Sequence, residues 1–291
     1  MTGIAHHSAP QARPHHWRRE AWKLPIHLMF ILISITMIVP LIMIFSISIS
    51  EEAQILGIGN GSGFSILPKG FSLDGYHLAF KNPDAVIKAY GVTAYSSFLG
   101  TAISMASAGM IAYPLARSNF KYKPIIQRYL LITMLFGAGT IPTYIVYTQY
   151  YHLGDSLLIY IMPCICGGAG TTFMLRAYMK GLSESLYESA ELDGANKFQG
   201  FLHIGVPLGS SGIVSALVLS FLDAWNLIEQ PLTFLKNKTL WPLSLYLPNI
   251  SMDNAGLAFV ASVITLIPSL LVFMAGQNYL EQGIAASAVK E

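Results

Sequence analysis

Long stretches without charge constrain this sequence more than any other feature. Five of them contain no Asp, Glu, Lys or Arg over twenty or more residues: 26–48, 92–115, 129–151, 156–175 and 256–280. A sixth, 211–235, is as long but includes Asp223 and Glu229. About 20 apolar helical residues cross a hydrocarbon core of about 30 Å, whereas a soluble bundle needs polar stripes on its outer faces. The sequence therefore predicts an all-α, polytopic membrane protein with about six transmembrane helices.

The composition supports a membrane protein and argues against nucleic-acid binding. Hydrophobic residues make up 53% of the chain and charged residues 11%, against about 25% charge in a typical soluble domain. The net charge is +2, with no long run of Lys or Arg. The first uncharged stretch is too long for a signal-peptide core of about 7–15 residues and is not followed by a convincing cleavage site, so we interpret it as a retained helix.

Two groups of residues resemble metal or redox sites, but simpler interpretations are favoured. The pairs His6-His7 and His15-His16 lie in the N-terminal segment, which we interpret as a polar tail; a metal site is the alternative. Cys164 and Cys166 are two residues apart, so on a helix they point in different directions. We interpret them as small hydrophobic residues, and predict neither a bound metal nor a cofactor for this chain.

The distribution of basic residues predicts the orientation. With the N-terminus inside and six alternating helices, twelve of the 17 Lys and Arg residues fall on the inner side and five on the outer side. The loop between helices two and three indicates the orientation most clearly, because it has four basic residues and no acidic residue. The predicted organisation is a cytoplasmic tail (1–25), a transmembrane domain (26–280) and a cytoplasmic C-terminal tail (281–291). The outer segment 49–91 is either a cap of short interfacial helices or a linker.

Small residues predict how the helices pack. Helix two repeats one at every fourth position: Ser96, Gly100, Ser104, Ala108 and Ala112. Such a stripe lets helix backbones approach closely, which is how membrane helices associate without a hydrophobic driving force. Other helices contain residues that favour kinks: Gly137, Gly139, Pro142, Gly167, Gly168, Gly170 and Pro268. Kinks at these positions suit either a pathway that opens and closes or ordinary helix packing.

The loop 181–209 between helices four and five is too polar for the membrane and about thirty residues long, and loops of this length are usually functional or disordered. Ser183 and Ser185 are candidate N-caps, and Glu188 completes a capping box with Ser185. Four residues form an apolar stripe at helical spacing: Leu182, Leu186, Ala190 and Leu192. Gly194 then ends the helix. A second helix is predicted over 197–204, with Phe198, Phe201 and Leu202 on one face. The element either docks on a partner or lies on the membrane surface.

Within this loop the sequence resembles the integral membrane subunits of bacterial ABC importers. Their cytoplasmic motif has the form EAA-x3-G-x9-I-x-L-P, and the matching positions here are Glu188, Ser189, Ala190, Gly194, Ile204 and Pro207. Ser189 replaces the middle Ala, and Val206 replaces Leu. Segments 112–117, 134–144, 221–226 and 283–290 further resemble the carbohydrate-uptake branch, in particular the second permease of a two-permease system.

The resemblance implies a type I importer fold and a defined set of partners. The loop would be a coupling helix in a groove of an ATPase dimer, with Glu188, Ala190 and Gly194 at the docking turn and Ile204 and Pro207 closing the element onto the bundle. The chain has no GxxxxGK[ST] phosphate loop, so ATP and magnesium would bind to the partner ATPase. A second homologous permease and a periplasmic or lipid-anchored substrate-binding protein would complete the complex in the bacterial inner membrane.

Helix five contains a polar group that is a candidate substrate pathway. Asp223, Asn226 and Glu229 recur at steps of three and are predicted to share one helix face, with Trp225 adjacent. Ionisable residues inside a membrane usually line a cavity or form pairs. An aromatic ring with hydrogen-bonding groups suits sugar recognition, although the carboxylates would repel an anionic cargo unless they are protonated or turned to the partner permease. The alternatives are hydrogen bonding between helices or, for Glu229, a position near the outer water interface.

Two other classes of function are alternatives to an importer permease. An ion-coupled secondary transporter should show an inverted repeat and buried coupling charges, yet no repeat is evident and only helix five is charged. A membrane-embedded enzyme needs acidic, His or Ser residues converging from several helices, and no such cluster is visible. The resemblance implies a carbohydrate cargo in the form of an oligosaccharide, with acidic ones such as alginate included.

Overall fold

The computed structural model describes residues 23–51, 55, 66–68, 70–117, 120–137, 139–250 and 255–288. In this part of the chain the α-helices are, in order, α1 (Leu24–Ser48), α2 (Asp74–Ala79), α3 (Pro83–Ala94), α4 (Gly100–Arg117), α5 (Lys123–Leu135), α6 (Thr140–Ile145), α7 (Met162–Ile165), α8 (Ala169–Lys180), α9 (Glu184–Leu192), α10 (Lys197–Gly200), α11 (Val206–Leu208), α12 (Ser210–Trp225), α13 (Glu229–Phe234), α14 (Leu243–Ile250) and α15 (Ala255–Ala288). Short π-helical turns at Tyr95–Leu99, Val146–Tyr150 and Phe201–Gly205 continue α3, α6 and α10. The tail with the two His pairs lies outside the described residues.

In the described part of the chain, four helices are long and apolar enough to cross a membrane: Leu24–Ser48, Pro83–Arg117, Ser210–Phe234 and Gly256–Gln282. Two further pairs meet the same test together but are bent by more than 40° at a short break: Lys123–Leu135 with Thr140–Tyr150, and Leu157–Ile165 with Ala169–Lys180. Counting each bent pair as one span gives six. The predicted all-α polytopic fold is therefore confirmed.

The stretch 129–151, which we predicted to be one helix, is instead broken. α5 ends at Leu135 and α6 begins at Thr140. Gly139 adopts a left-handed backbone with φ +82°, which glycine tolerates and most residues do not. Pro142 then occupies the first turn of α6, where its missing N–H costs no hydrogen bond. Glycine and proline thus end one helix and start the next.

The packing of α4 against α8 and the segment before it holds the centre of the bundle together. In the small-residue stripe, Ser96, Ala108 and Ala112 are buried. Gly167, with φ +61°, lies so close that a Cβ added to it would be 2.8 Å from the Ala108 nitrogen. The backbone at Gly167 therefore packs directly against the backbone of α4 at Ala108. The stripe of small residues predicted such close contact between membrane helices.

The segment after α1 folds back onto the bundle where it is described. The Ser50 and Phe71 backbones form an antiparallel bridge. The Ser48 hydroxyl lies 3.1 Å from the hydroxyl of Tyr76 in α2, and Ala79 of α2 packs with Leu257 and Val260 of α15. Of the two interpretations of segment 49–91, the short helix α2 favours the cap, although most of 52–65 lies outside the described residues.

A larger side chain in the stripe tests this packing. Ala108→Leu places three extra carbons where Gly167 leaves no room, and overpacking of this kind costs about 1–3 kcal/mol. We expect a lower apparent melting temperature of the detergent-purified protein. The matched control, Ala106→Leu, adds the same atoms on an exposed face of the same helix and should leave the temperature unchanged. Equal effects of the two changes would contradict the packing.

Candidate functional site

The loop 181–209 forms two helical pieces joined by a tight turn. α9 begins at Glu184, so Ser183 precedes the helix and Ser185 lies inside it. The predicted capping box of Ser185 and Glu188 is therefore wrong: the Ser183 hydroxyl lies 2.8 Å from that of Ser185 instead. Leu192 was also misplaced on the apolar stripe, since it is 89% exposed; six residues after Leu186, it points to another side of the helix.

Gly194 ends α9 as predicted. Its backbone is left-handed, with φ +87°, and the Ala195 N–H donates to the Ala190 carbonyl at 2.9 Å. No atom lies within 4 Å of the place where a Cβ would be. The position therefore favours a residue that tolerates a left-handed backbone, as glycine does, and the space around it is open.

The capping box of this loop belongs to the second piece. The Gln199 N–H donates to the Asn196 side-chain oxygen, and the Asn196 N–H donates to the Gln199 side-chain oxygen, both at 2.9 Å. Asn is as good an N-cap as Ser. The predicted helix 197–204 starts where expected, but it passes into the π-helical turn Phe201–Gly205 after Gly200.

Two arginines fasten the membrane ends of this loop. One terminal nitrogen of Arg117, Nη2, donates to the carbonyls of Met179 and Leu182, each at 2.6 Å. In return, Arg176 Nε of α8 donates to the Leu115 carbonyl of α4 at 3.3 Å. The last carbonyls of a helix have no partner within the helix and carry a partial negative charge, so cations stabilise them. The two helix ends are thus bridged reciprocally.

An aromatic cluster joins α9 to the bundle. Tyr187, 7% exposed, lies with its ring centroid 5.9 Å from that of Tyr113 on α4, and the ring of Phe201 lies 5.3 Å from Tyr113. The guanidinium carbon of Arg117 is 4.3 Å from the centre of the Tyr187 ring. Burial raises the pKa of Tyr187 and the positive Arg117 opposes this, so the phenol is neutral at physiological pH.

The motif residues divide between an outer and an inner surface. Glu188, Ser189 and Gly194 are exposed, and Ala190 is half-buried. Ile204 packs against the cluster of Tyr113 and Tyr187, while Pro207 is exposed within α11.

The outer surface of the loop is concave and acidic. A shallow cavity of about 420 Å³ is lined by Ala190, Asp193, Gly194, Ala195, Gln199, Gly200, His203 and Ile204. Asp193 is the acidic residue of this lining, and the loop carries three more exposed carboxylates and one exposed lysine: Glu184, Glu188, Glu191 and Lys197. Such a surface suits a basic partner carrying a small projecting side chain.

The polar group of helix five does not form the continuous face that we predicted. α12 ends at Trp225 and α13 resumes at Glu229, so steps of three no longer place Glu229 above Asp223. Asp223, Asn226 and Glu229 are all exposed. Trp225 is 4% exposed, and its indole N–H donates to the Thr265 carbonyl at 3.1 Å. In this conformation Trp225 packs between helices, and the polar residues supply the accessible groups.

Glu229 is tied to the broken span. Its carboxylate accepts a hydrogen bond from the Thr140 hydroxyl at 2.6 Å, directly after the left-handed Gly139. The Asn226 side-chain amide donates to the Leu222 carbonyl at 2.9 Å. The polar group therefore contacts a helix break, which is where a membrane protein accommodates irregular backbone beside a cavity or another protein surface.

Sequence reasoning missed two residues of the loop anchor, Tyr187 and Arg117. From the sequence, Arg117 has a place among the cytoplasmic charges and in the segment 112–117 but no predicted contact with the loop, and Tyr187 has no predicted role. The available signal was an aromatic residue three positions after the first helical residue of a polar helix, together with an arginine that ends a transmembrane helix. Among the described residues no group of three or more His, Cys, Asp or Glu could hold a metal ion.

The chain belongs to the family of binding-protein-dependent transport system inner membrane components, whose model matches residues 100–286. It is therefore a permease subunit of a transport system, in agreement with the resemblance in the loop. The family assignment does not favour the alternative of an ion-coupled carrier.

Similar proteins cover nearly the whole chain. Protein LplC of Bacillus subtilis (strain 168) is 27% identical over 87% of this chain and 89% of LplC. The polygalacturonan/rhamnogalacturonan transport system permease protein YtcP of the same organism is also 27% identical, over 90% and 95% of the two chains. A solved bacterial ABC transporter involved in the import of the acidic polysaccharide alginate contains a chain with TM-score 0.75 and 22% identity, covering 92% of this chain and 99% of that one. The fold is thus that of an ABC importer permease.

The left-handed turn can be tested in the isolated subunit. Gly194→Val forces a β-branched residue into a backbone that costs L-residues about 1–2 kcal/mol. We expect faster amide hydrogen exchange over residues 184–200 in detergent micelles. Gly194→Asn is the matched control, because Asn enters this conformation readily and the surrounding space is open. Unchanged exchange in both variants would show that the turn does not depend on glycine.

Proposed function

We propose that this chain is one permease of a two-permease ABC importer that carries an oligosaccharide across the bacterial inner membrane. Hydrolysis of ATP on a separate ATPase dimer drives transport, and the loop 181–209 couples the two. Both termini face the cytoplasm. The proposal rests mainly on one observation: a polar helix–glycine–helix element projects from the family's membrane domain while its base is fastened to two transmembrane helices.

The geometry of the loop supports coupling better than lipid binding. An amphipathic hairpin on the membrane surface needs its apolar face in the lipid and its charges in water. Here Tyr187 is buried against the subunit's own helices, and the exposed side of the loop presents carboxylates together with Leu192 and Phe198. Anionic lipid head groups repel such a surface, whereas a basic protein groove attracts it.

The other partners follow from the family and the exposed surfaces. The family description names a binding protein, which supports an external substrate-binding protein, soluble in the periplasm or anchored by lipid. The helix α1 exposes large apolar side chains along most of its length, which suits membrane lipid and a second, homologous permease.

The relatives support a carbohydrate cargo. Names among them refer to polygalacturonan and rhamnogalacturonan, to arabinooligosaccharides and to diacetylchitobiose. We extend carbohydrate transport to this chain and include acidic oligosaccharides such as alginate fragments. Asp223, Asn226 and Glu229 are the proposed pathway groups, with hydroxyls of the sugar as their hydrogen-bond partners.

Coupling is tested by substrate-stimulated ATP hydrolysis in the reconstituted complex. We expect Glu188→Lys to abolish the stimulation because it reverses the charge of the docking surface. Gly194→Asn keeps the turn but fills part of the cavity, so it should weaken coupling without unfolding the loop. Stimulation and uptake that remain at wild-type level in both variants would refute the docking surface.

The control for charge reversal is Glu281→Lys, which makes the same change on an exposed position of α15, outside the sequence of the loop. This variant should hydrolyse ATP and transport as the wild type does. If it fails equally, the effect of Glu188→Lys reflects net charge or expression rather than docking.

The pathway is tested by neutralising its carboxylates. Asp223→Asn and Glu229→Gln keep shape, and the Gln oxygen still accepts from Thr140. Removing one like charge near an anionic cargo is worth about 1 kcal/mol in wet surroundings, or about fivefold in rate. We expect uptake of an acidic oligosaccharide to rise by about that factor relative to a neutral one. The control Asp84→Asn, on the first turn of α3, should leave the ratio of acidic to neutral uptake unchanged. A ratio that stays at the wild-type value in Asp223→Asn and Glu229→Gln would exclude these residues from the pathway.

A further inference from the structure

Arg117 contacts both the membrane helices and the coupling loop, which distinguishes it from every other charged residue described above. Its guanidinium donates to the carbonyls of Met179 and Leu182, at the point where α8 ends and the loop begins. The same group lies over the ring of Tyr187, one turn into α9. One side chain from α4 therefore contacts the end of α8 and the body of α9 simultaneously.

We propose that Arg117 and Tyr187 form a clamp that sets the direction of α9, so that motion of the docked loop is transmitted to α4 and α8. This inference rests on the proposed coupling function and assigns positioning roles to two residues outside the motif. A helix of nine residues in water is marginal on its own, and only two turns project from the membrane domain. Without a fixed base, α9 could tilt while the transmembrane helices stayed still.

The chemistry of the clamp requires arginine. The planar guanidinium donates in its own plane to two carbonyls and presents its flat face to an aromatic ring. A cation over a tyrosine ring contributes about 0.5–2 kcal/mol, depending on solvent exposure. Lysine is a point charge that cannot do both at once, so Arg117→Lys keeps the charge and removes the geometry.

Tyr113 completes the clamp from the side. Its ring lies against both Tyr187 and Phe201, and its hydroxyl would be 3.0 Å from a Cβ added to Gly200. The base of both loop pieces therefore rests on residues of α4. Ile204 of the motif packs in the same cluster, which links the clamp to the inner half of the motif.

Arg176 supplies the matched control. It also bridges the helix ends, through the Leu115 carbonyl, but the cation–π contact on Tyr187 belongs to Arg117. Loss of either arginine should lower stability, because each neutralises helix-end carbonyls. Only loss of Arg117 should change how the loop moves with the bundle. Tyr187→Phe keeps the ring and removes the hydroxyl, whereas Tyr187→Leu removes the ring.

The experiment compares Arg117→Lys, Arg176→Lys, Tyr187→Leu and Tyr187→Phe in the reconstituted complex with its ATPase, partner permease and binding protein. The readout is the ratio of oligosaccharide taken up to ATP hydrolysed, with basal hydrolysis measured separately. We expect Arg117→Lys and Tyr187→Leu to lower the ratio about fivefold or more, the lower range of coupling between sites, while hydrolysis continues. Arg176→Lys and Tyr187→Phe should keep the wild-type ratio.

A second measurement separates this inference from the proposed function. Hydrogen exchange over residues 184–200 of the isolated subunit should quicken in Arg117→Lys and Tyr187→Leu and not in Tyr187→Phe. If the wild-type complex shows no coupling, the proposed function fails, and the exchange data still decide whether the clamp exists. If Arg117→Lys keeps both the wild-type ratio and the wild-type exchange, the clamp is refuted.

Discussion

The fold depends on the close approach of α4 and α8. Within a membrane, lipid is as apolar as the helices, so association relies on van der Waals contact between backbones rather than on the hydrophobic effect. Ala108 and Gly167 allow that contact. The consequence is electrostatic: two helices running in the same direction bring their carbonyl ends together, and these ends repel each other. Arg117 and Arg176 offset this repulsion. Because Arg117 also lies over the Tyr187 ring, the position of these helix ends determines where the loop after α8 begins.

The anchoring of the loop joins a small polar element firmly to a large apolar one. Tyr113, Tyr187 and Phe201 make its base part of the hydrophobic core, while the outer face stays acidic and concave. Gly194 separates the two helical pieces by backbone conformation alone, since its surroundings are open. A rigid base with an accessible tip is the arrangement required of an element that passes on force from a partner.

Much of this architecture was predictable because membranes simplify the relation between sequence and structure. Uncharged length predicted the spans, the stripe from Ser96 to Ala112 predicted the central packing, and the spacing from Glu188 to Pro207 predicted the loop. Features that depend on non-local contacts were not predictable. The burial of Tyr187 needs Arg117, seventy residues earlier, and the burial of Trp225 needs the Thr265 carbonyl. The break before Thr140 falls at Gly139, one of the residues that favour kinks, whereas the break before Glu229 was not predicted.

The dependence of α9 on α4 has a consequence for how such subunits diversify. Loop and anchor lie far apart in the chain, so recombination within a gene can separate them. A loop transplanted from a related permease would bring its own aromatic residue at the position of Tyr187, but it would pack against the α4 end of a different subunit. Under the proposed coupling, only exchanges that keep an aromatic ring opposite a guanidinium would preserve the direction of the transplanted loop, so the loop and the end of α4 would have to be exchanged together.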